Sequence, residues 1–297
     1  MLLYKSGLKN NLTISSNCAK CVKLSELTTY GLGGYANCYF PETPYQAKRI
    51  YADLIENGEK VTILGNGSNI LASDNNYTGY IICLRKMRGI VRLDKDKILC
   101  LAGTSIASIL KYCNKNNLSG IEYMYGIPAS IGGAAYMNAG VGNQTISNNI
   151  VFIDYFGDFS GKISSQMCNF GYRHSTMRDI NGVILAVVLK LTQSSAQEID
   201  EKINFYKLKR AHLPKGKSCG CIFKNGADYS SGELIDKAGL KGLRCGGAYI
   251  SEYHANFIIN DGGSADDVKR LINTAKSRVL DKFGIELQEE VVYIGDF

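Results

Sequence analysis

The sequence predicts a soluble protein that mixes helices and strands in more than one domain, and three observations lead there. Its 297 residues exceed a typical domain of roughly 100 to 200 residues. Hydrophobic residues at 45% and charged residues at 21% match an ordinary globular composition and exclude a disordered chain. Short β-branched runs alternate with stretches of helical apolar spacing, the pattern of strand, helix and strand. Glycine is in excess, at 32 residues, and proline is scarce, at 4.

The elements follow in order. Residues 45–57 carry Ala47, Ile50, Tyr51 and Leu54 at helical spacing, 60–64 is a β-branched strand, and 80–84 is another. A hairpin over 90–93 and 98–101 precedes a helix over 104–117, with Ile106, Ile109, Leu110 and Cys113 on one face. The glycine-rich residues 126–134 predict no regular structure. Strands are expected at 150–156 and 183–191, and a polar helix over 196–208 marks a domain boundary. The last third has its own order: a strand at 221–223, a helix over 231–238 stopped by Gly239, and strands at 248–250 and 257–259. A long helix follows, with Ser264 as N-cap, Asp267 three positions on, and Val268, Leu271, Ile272, Ala275 and Val279 as its apolar stripe. Gly284 ends it.

Composition excludes several functions. The apolar run 183–189 is far shorter than the roughly 18 to 20 residues of a membrane-spanning helix, and no secretory signal is visible at the N-terminus. A net charge of +7 favours anionic ligands but lacks the clustered basic stripe of a nucleic-acid binder. Lys207, Lys209 and Arg210 form a small basic group that suits a solvated helix face or, alternatively, a phosphate contact. Ten cysteines fall well below the roughly 8 to 10% of a disulfide scaffold, so reduced thiols and a cytoplasmic location are expected. Cys18 and Cys21 lack a second pair at zinc-site spacing, Cys219 and Cys221 have the wrong gap, and His174, His212 and His254 are dispersed. No metal is expected.

The glycines gather in loops. Gly65-Asn66-Gly67-Ser68-Asn69 follows a strand, and Gly132-Gly133-Ala134 precedes Asn138-Ala139-Gly140. Such loops offer backbone N–H groups and close approach, which suits a pyrophosphate. Neither matches the Gly-x-Gly-x-x-Gly of a Rossmann site, and no Gly-Lys-Ser/Thr follows a strand, so a nucleoside triphosphatase is disfavoured. Together the two loops can clamp the ends of an extended dinucleotide.

At these residues the sequence resembles the UDP-N-acetylenolpyruvoylglucosamine reductases. The resemblance rests on Thr28-Thr29-Tyr30-Gly31-Leu32-Gly33-Gly34, the loop Gly65 to Leu71, Gly126-Ile127-Pro128, and Tyr136-Met137-Asn138-Ala139-Gly140. It continues through Phe170-Gly171-Tyr172-Arg173, Gly220-Cys221-Ile222-Phe223-Lys224-Asn225, Ala238-Gly239-Leu240-Lys241-Gly242, Ser251-Glu252-Tyr253-His254-Ala255-Asn256-Phe257 and Leu287-Gln288-Glu289-Glu290-Val291. It covers nearly the whole chain from about Thr28, and the Phe-Gly-Tyr-Arg form is similar to the shorter, type II branch.

The resemblance implies an α+β fold, a two-lobed FAD-binding domain of the vanillyl-alcohol-oxidase/PCMH type with a C-terminal α+β substrate domain. The expected divisions are lobe 1 over 1–86, lobe 2 over 87–205 and the substrate domain over 206–297. It further implies non-covalent FAD, NADPH as hydride donor, and reduction of the enolpyruvyl ether UDP-N-acetylglucosamine enolpyruvate to UDP-N-acetylmuramate for peptidoglycan. A cytoplasmic monomer with neither nucleic-acid nor membrane partner is expected. Flavin contacts are expected from Tyr30, Gly65, Asn66, Gly67, Ser68, Asn69, Ile70, Gly126, Pro128, Ser130, Gly132, Gly133, Ala134, Asn138, Ala139 and Gly140. Lys224, Asn225 and Arg210 are the candidate substrate contacts.

Three catalytic positions follow from the same resemblance. Arg173 matches the arginine that faces the substrate carboxylate, for which a guanidinium fork is suited. Glu290 falls on the family's acidic residue, with Glu289 as the alternative register. Cys221 stands where the family has the serine that protonates the intermediate. A thiol with an ordinary pKa near 8.5 is mostly protonated at neutral pH and can donate that proton, unless a close arginine pulls the pKa down. Cys219, two residues away, is expected on the same strand face. His174 replaces an aspartate and Gly226 a proline, which puts in doubt a partner of Arg173 and the stiffness of the turn after Asn225. Two other readings remain: a flavoprotein oxidase of the same broad fold, and a flavin-binding paralogue without the acid.

Overall fold

In the computed structural model, residues 18–297 are described, and the first sheet begins almost at once. Its four strands run in the order Lys20–Lys23, Tyr35–Tyr39, Tyr80–Cys83, Val61–Leu64. The last three are mutually parallel and the first is antiparallel. Parallel strands need crossovers; helix α1 (Pro44–Glu56) carries the chain from Tyr35–Tyr39 to Val61–Leu64 on the far side of Tyr80–Cys83. Thr43 accepts a hydrogen bond from the Gln46 N–H, Pro44 supplies the first turn, and Ala47, Ile50, Tyr51 and Leu54 are buried.

A second sheet is wholly antiparallel, in the order Gly161–Ser164, Ile150–Gly157, Gly182–Lys190, Lys97–Leu101, Ile90–Arg92. Its central strand is buried from 183 to 189, because α1 packs on it together with helix α3 (Ile131–Tyr136). That explains a continuous apolar run in an antiparallel sheet, where alternation is the norm. One core joins Ile50 and Leu54 of α1 to Ile98, Val187 and the buried face of α2 (Ile106–Lys115). Residue 86 therefore lies inside the span of a single hydrophobic core.

Helix α3 corrects the expectation of an irregular 126–134. Ser130 caps it by accepting from the Gly133 N–H, and the small residues let it sit against Ala102, whose carbonyl accepts from Gly132. Tertiary packing has overridden the poor helix propensity of glycine.

The polar α4 (Ala196–Arg210) leads into the C-terminal region. There the three-stranded antiparallel sheet Arg244–Cys245, Ala248–Ile250, Ile258–Asn260 packs against α6 (Ala265–Phe283), with α5 (Ser231–Lys237) alongside. Ser264 and Asp267 form a reciprocal capping box, and Gly284, at φ 68°, ends α6 with its N–H donated to Leu280 O. The strand expected at 221–223 is absent. Cys221 bridges Phe257 on one side and Phe223 bridges Glu289 on the other, so the segment changes partner too quickly to form a ladder. The chain ends with Val292–Ile294, which pairs in parallel with Ile70–Ala72 of the first third. Tyr30, Leu32 and Leu71 lie in the C-terminal core.

All ten cysteines are free thiols. Cys18 and Cys21 are exposed at the edge of the first sheet, while the expected unknowns of residues 1–17 lie outside the described residues. No helix among those described is long and apolar enough to cross a membrane.

Candidate active site at the seam between two lobes

The 65–69 loop is held from three sides. Gly67 is left-handed, at φ 64°, and a Cβ there would lie 2.1 Å from Leu27 O, so only glycine fits. Its carbonyl accepts from the Thr29 N–H at 3.0 Å. Arg85 gathers Leu27 O and Asn66 O, each at 2.7 Å, and the Asn66 amide donates to Pro128 O at 2.7 Å. A Cβ on Gly65 would lie 2.5 Å from Ser130 Oγ, which brings the two glycine loops together. Among the described residues, the N–H groups of Asn66, Gly67, Ser68 and Asn69 find no protein acceptor.

The second loop differs from expectation. The N–H groups of Ile131, Gly132, Gly133 and Ala134 are taken by Thr104 O, Ala102 O, Ser130 Oγ and Ser130 O, and Gly132 packs closely on Ala102. Asn138, at φ 44°, spends its amide on Gly171 O and Ser147 N–H, and Gly140 O accepts from Arg173 at 3.3 Å. Residues 138–140 thus support the Arg173 turn, with Ala139 tied to Ala134 and Ile146. Tyr30 is buried in the C-terminal core: its hydroxyl donates to Ile258 O and its carbonyl accepts from Asn260. Its side chain is a packing residue.

Arg173 and Glu290 meet, Nε to Oε1 at 2.8 Å, with side chains 20% and 15% exposed. Gly171 and His174 exchange backbone hydrogen bonds around the turn, which places Arg173 at φ 55°. A non-glycine residue held there marks a functional constraint. Arg178 donates to Arg173 O at 2.7 Å, and the Arg173 guanidinium lies 5.0 Å from the Tyr172 ring centroid. His174 turns outward to Asp179 at 3.2 Å and does not support Arg173.

Cys221 joins this pair. Burial pushes its thiol up to about 12, Glu290 adds to the rise, and Arg173 and Arg210 oppose it. Burial likewise raises the Glu290 carboxyl, against Arg173, Lys224 and Arg178. The feared depression of the thiol by arginine is therefore outweighed. Cys219 corrects the expectation of a shared face: it is buried in the C-terminal core beside the Tyr30 hydroxyl, because Gly220, at φ 82°, turns the chain between the two thiols. Glu290 also ties the lobes together, as its carbonyl accepts from Asn69 at 2.9 Å and its N–H donates to Ile222 O at 2.7 Å.

The three substrate candidates spread outward from Cys221. Lys224 is half-buried and acts on Glu290. Asn225 is exposed, with Oδ1 accepting from Ser231 N–H and its own N–H donated to Tyr172 OH. Arg210 leaves the end of α4, lies against Gly126 and reaches toward Cys221. Just beyond it is a cavity of about 580 Å³ lined in part by His212, Lys215, Arg244, Tyr249, Tyr253 and Ile259. Tyr249 pairs with Ile259, and Cys221 with Phe257. Paired and alternate residues share a sheet face, so the cavity and Cys221 are on the same side. Lys207 and Lys209 are exposed. Sequence reasoning missed Arg178, Arg85 and Asn256. The last is buried and binds both the N–H and the carbonyl of Phe223, and its signal was a polar residue inside the quoted His254-Ala255-Asn256-Phe257 motif.

The comparisons with known proteins agree with this geometry. Residues 36–156 match the FAD binding domain model, and residues 211–294 match UDP-N-acetylenolpyruvoylglucosamine reductase, C-terminal domain. The chain is 36% identical to the UDP-N-acetylenolpyruvoylglucosamine reductase of Prochlorococcus marinus, over 93% of this chain and 97% of that one. It is 35% identical to the enzyme of that name from Borreliella burgdorferi, over 92% and 93%. The chain belongs to the UDP-N-acetylenolpyruvoylglucosamine reductase family. The crystal structure of UDP-N-acetylenolpyruvylglucosamine reductase from Thermus caldophilus superposes with a TM-score of 0.81 at 33% identity, over 93% of this chain and 99% of that one. The α+β fold expected of a family member is the one observed.

The residues present fit the family's FAD. The four unspent N–H groups at Asn66 to Asn69 suit a pyrophosphate. Gly65 and Gly67 leave no side chain between the loops, and Asn69 connects that cradle to Glu290.

Proposed function

We propose that this chain carries out its family's reaction, the FAD-dependent, NADPH-using reduction of UDP-N-acetylglucosamine enolpyruvate to UDP-N-acetylmuramate, with Arg173, Glu290 and Cys221 at the reacting end. The supporting observation is the convergence of these three side chains, from separate parts of the chain, beside the 65–69 loop. We further propose divisions of labour along 1–86, 87–205 and 206–297, and a monomer acting in the cytoplasm, where NADPH and nucleotide sugars are found.

Reducing a carbon–carbon double bond takes one hydride and one proton. FAD, reduced by NADPH, supplies the hydride. Arg173 binds the substrate carboxylate, where negative charge grows as the hydride arrives. Glu290 holds the guanidinium through Nε and Gly140 O takes a hydrogen of Nη2, which leaves Nη1 for the substrate. Cys221 delivers the proton from Sγ. Its raised pKa keeps the thiol protonated at neutral pH, and Arg173 and Arg210 stabilise the thiolate left behind until solvent reprotonates it. Lys224, Asn225 and Arg210 bind the diphosphate and sugar, and the cavity past Arg210, lined by Lys215, Arg244 and Tyr249, accepts the uridine end. The 65–70 residues, with Pro128 and Ser130 behind them, hold the flavin.

Titrating the reduced protein with the enolpyruvyl nucleotide without oxygen tests this reading. Rapid flavin reoxidation supports it; reoxidation by oxygen alone points to an oxidase, and neither points to a binding module. Cys221→Ala is expected to slow substrate-dependent reoxidation by roughly 10²- to 10⁴-fold, while Cys221→Ser restores much of it. Equal loss in flavin reduction by NADPH would remove Cys221 as the acid.

A further inference from the structure

Glu289 and Glu290 are equivalent as letters, yet the fold sends them to opposite sides. Glu290 faces Arg173, whereas Glu289, with its side chain 17% exposed, faces α6. Lys276 Nζ reaches Glu289 Oε1 at 3.0 Å, Lys269 Nζ reaches Oε2 at 3.6 Å, and the Tyr293 hydroxyl donates to Oε2. Lys269 also sits 4.0 Å from the Tyr293 ring centroid. The lysines are two turns apart on α6 and so share a face. Burial opposes ionisation of Glu289, but the Tyr293 hydroxyl and both lysines keep its carboxyl below the usual range.

A covered carboxylate taking two ammonium groups and a phenol is far from a solvated rim residue, and its place in the fold suggests why. The 287–293 segment runs between the catalytic segment and the flavin loop. On one side Glu289 bridges Phe223 and the Glu290 N–H binds Ile222 O; on the other, Asn69 binds Glu290 O, and the Val292 N–H binds Asn69 O. Successive side chains in extended backbone point to opposite faces. Fixing Glu289 toward α6 therefore fixes Glu290 toward Arg173 and Cys221.

We propose that Glu289, with Lys269, Lys276 and Tyr293, is a positioning latch for the reaction: it holds the backbone so that Glu290 meets Arg173 and Cys221. The proposal rests on the roles given above to Glu290 and Cys221. The charged groups facing Glu290 are Arg173 and Arg178 from the 171–178 segment and Lys224 and Cys221 from the 219–225 segment, with Arg210 of α4 facing Cys221. None of these is a partner of Glu289.

Glu289→Gln raises the net charge of the cluster from +1 to +2, whereas Lys276→Met lowers it to zero by leaving Glu289 and Lys269 as a neutral pair. In the FAD-loaded protein, Glu289→Gln is expected to slow substrate-dependent reoxidation by about 10- to 100-fold, as small misplacements do, and to slow it more than reduction by NADPH. Lys276→Met gives a smaller loss of the same kind. The pH at which Glu290 titrates in reoxidation moves down in Glu289→Gln and up in Lys276→Met. Without flavin, iodoacetamide labels Cys221 faster in Glu289→Gln, since a displaced Glu290 no longer raises its pKa; peptide mass mapping reads this. Same-sign pH shifts, equal slowing of both half-reactions, or unchanged labelling of Cys221 would overturn the latch. If Glu289→Gln does not fold, Lys276→Met, whose lysine is 35% exposed, decides alone. Absence of reoxidation in the unaltered protein would instead sink the functional reading, while labelling still reports on the latch.

Discussion

The two hydrophobic cores that flank the site are built differently. The larger one takes its buried residues from 47–191, a single stretch of chain, and gathers both faces of its antiparallel sheet around one run. The C-terminal core cannot close on its own stretch. It takes Tyr30, Leu32 and Leu71 from the first third, and its last strand leaves to pair with Ile70–Ala72. The difference teaches that the C-terminal region is tied to the first third through both its core and its last strand. Arg173 comes from the stretch that builds the large core and Cys221 with Glu290 from the C-terminal region, so their meeting depends on these ties.

Breaking one of these ties is expected to have the largest effect. Leu71→Ala empties a fully buried position in the borrowed core and costs about 2 to 5 kcal/mol; both regions should then lose protection together in hydrogen exchange. Independent loss in the C-terminal region alone would show that the tie is dispensable. Gly67→Ala acts on the other lobe. The left-handed backbone alone costs about 1 to 2 kcal/mol, the Cβ meets Leu27 O, and flavin retention during gel filtration should fall with thermal stability. Ser264→Ala removes the α6 cap and costs about 1 kcal/mol, lowering the melting temperature while leaving the rate of reoxidation nearly unchanged. The smallest expected effect concerns pH. Cys221 keeps its proton to about 12, so reoxidation should show no basic limb near the ordinary thiol pKa of about 8.5. Stability has the opposite sensitivity: Cys219, Cys221, Cys38 and Cys113 all hold their protons to about 12, so unfolding becomes easier as pH rises from about 9 toward that value. A melting temperature that stays flat across that interval would contradict these buried thiols.

Much of this arrangement was legible as sequence. The helix over 265–283 carried its own cap, stripe and stop, all of them local signals, and it formed where they placed it. The hairpin at 90–101 and the strands at 150–156 and 183–191 were readable from β-branched runs bounded by turns, although the pairing of the latter two was not. Residues 126–134 were not, because the packing of Gly132 on Ala102 makes a helix where propensity argues against one. Residues 221–223 failed for a related reason: their partners, Phe257 and Glu289, come from either side and are distant in sequence. The site divides similarly. Arg173, Cys221 and Glu290 were named from their motifs, whereas Arg178, Arg85 and Asn256 act on backbone carbonyls and amides that no motif displays.

By itself the sequence determined the chemistry available: a thiol where a proton is needed, a guanidinium and a carboxylate, and a glycine-rich loop after a strand. Only the tertiary structure decided which groups hold their protons and which acidic neighbour serves. Cys221 stays a thiol because burial and Glu290 outweigh two arginines, and Glu289 is turned to α6 because two lysines a helical repeat apart wait there. Both outcomes depend on desolvation and on charges brought close from distant segments, and neither quantity exists until the chain has folded.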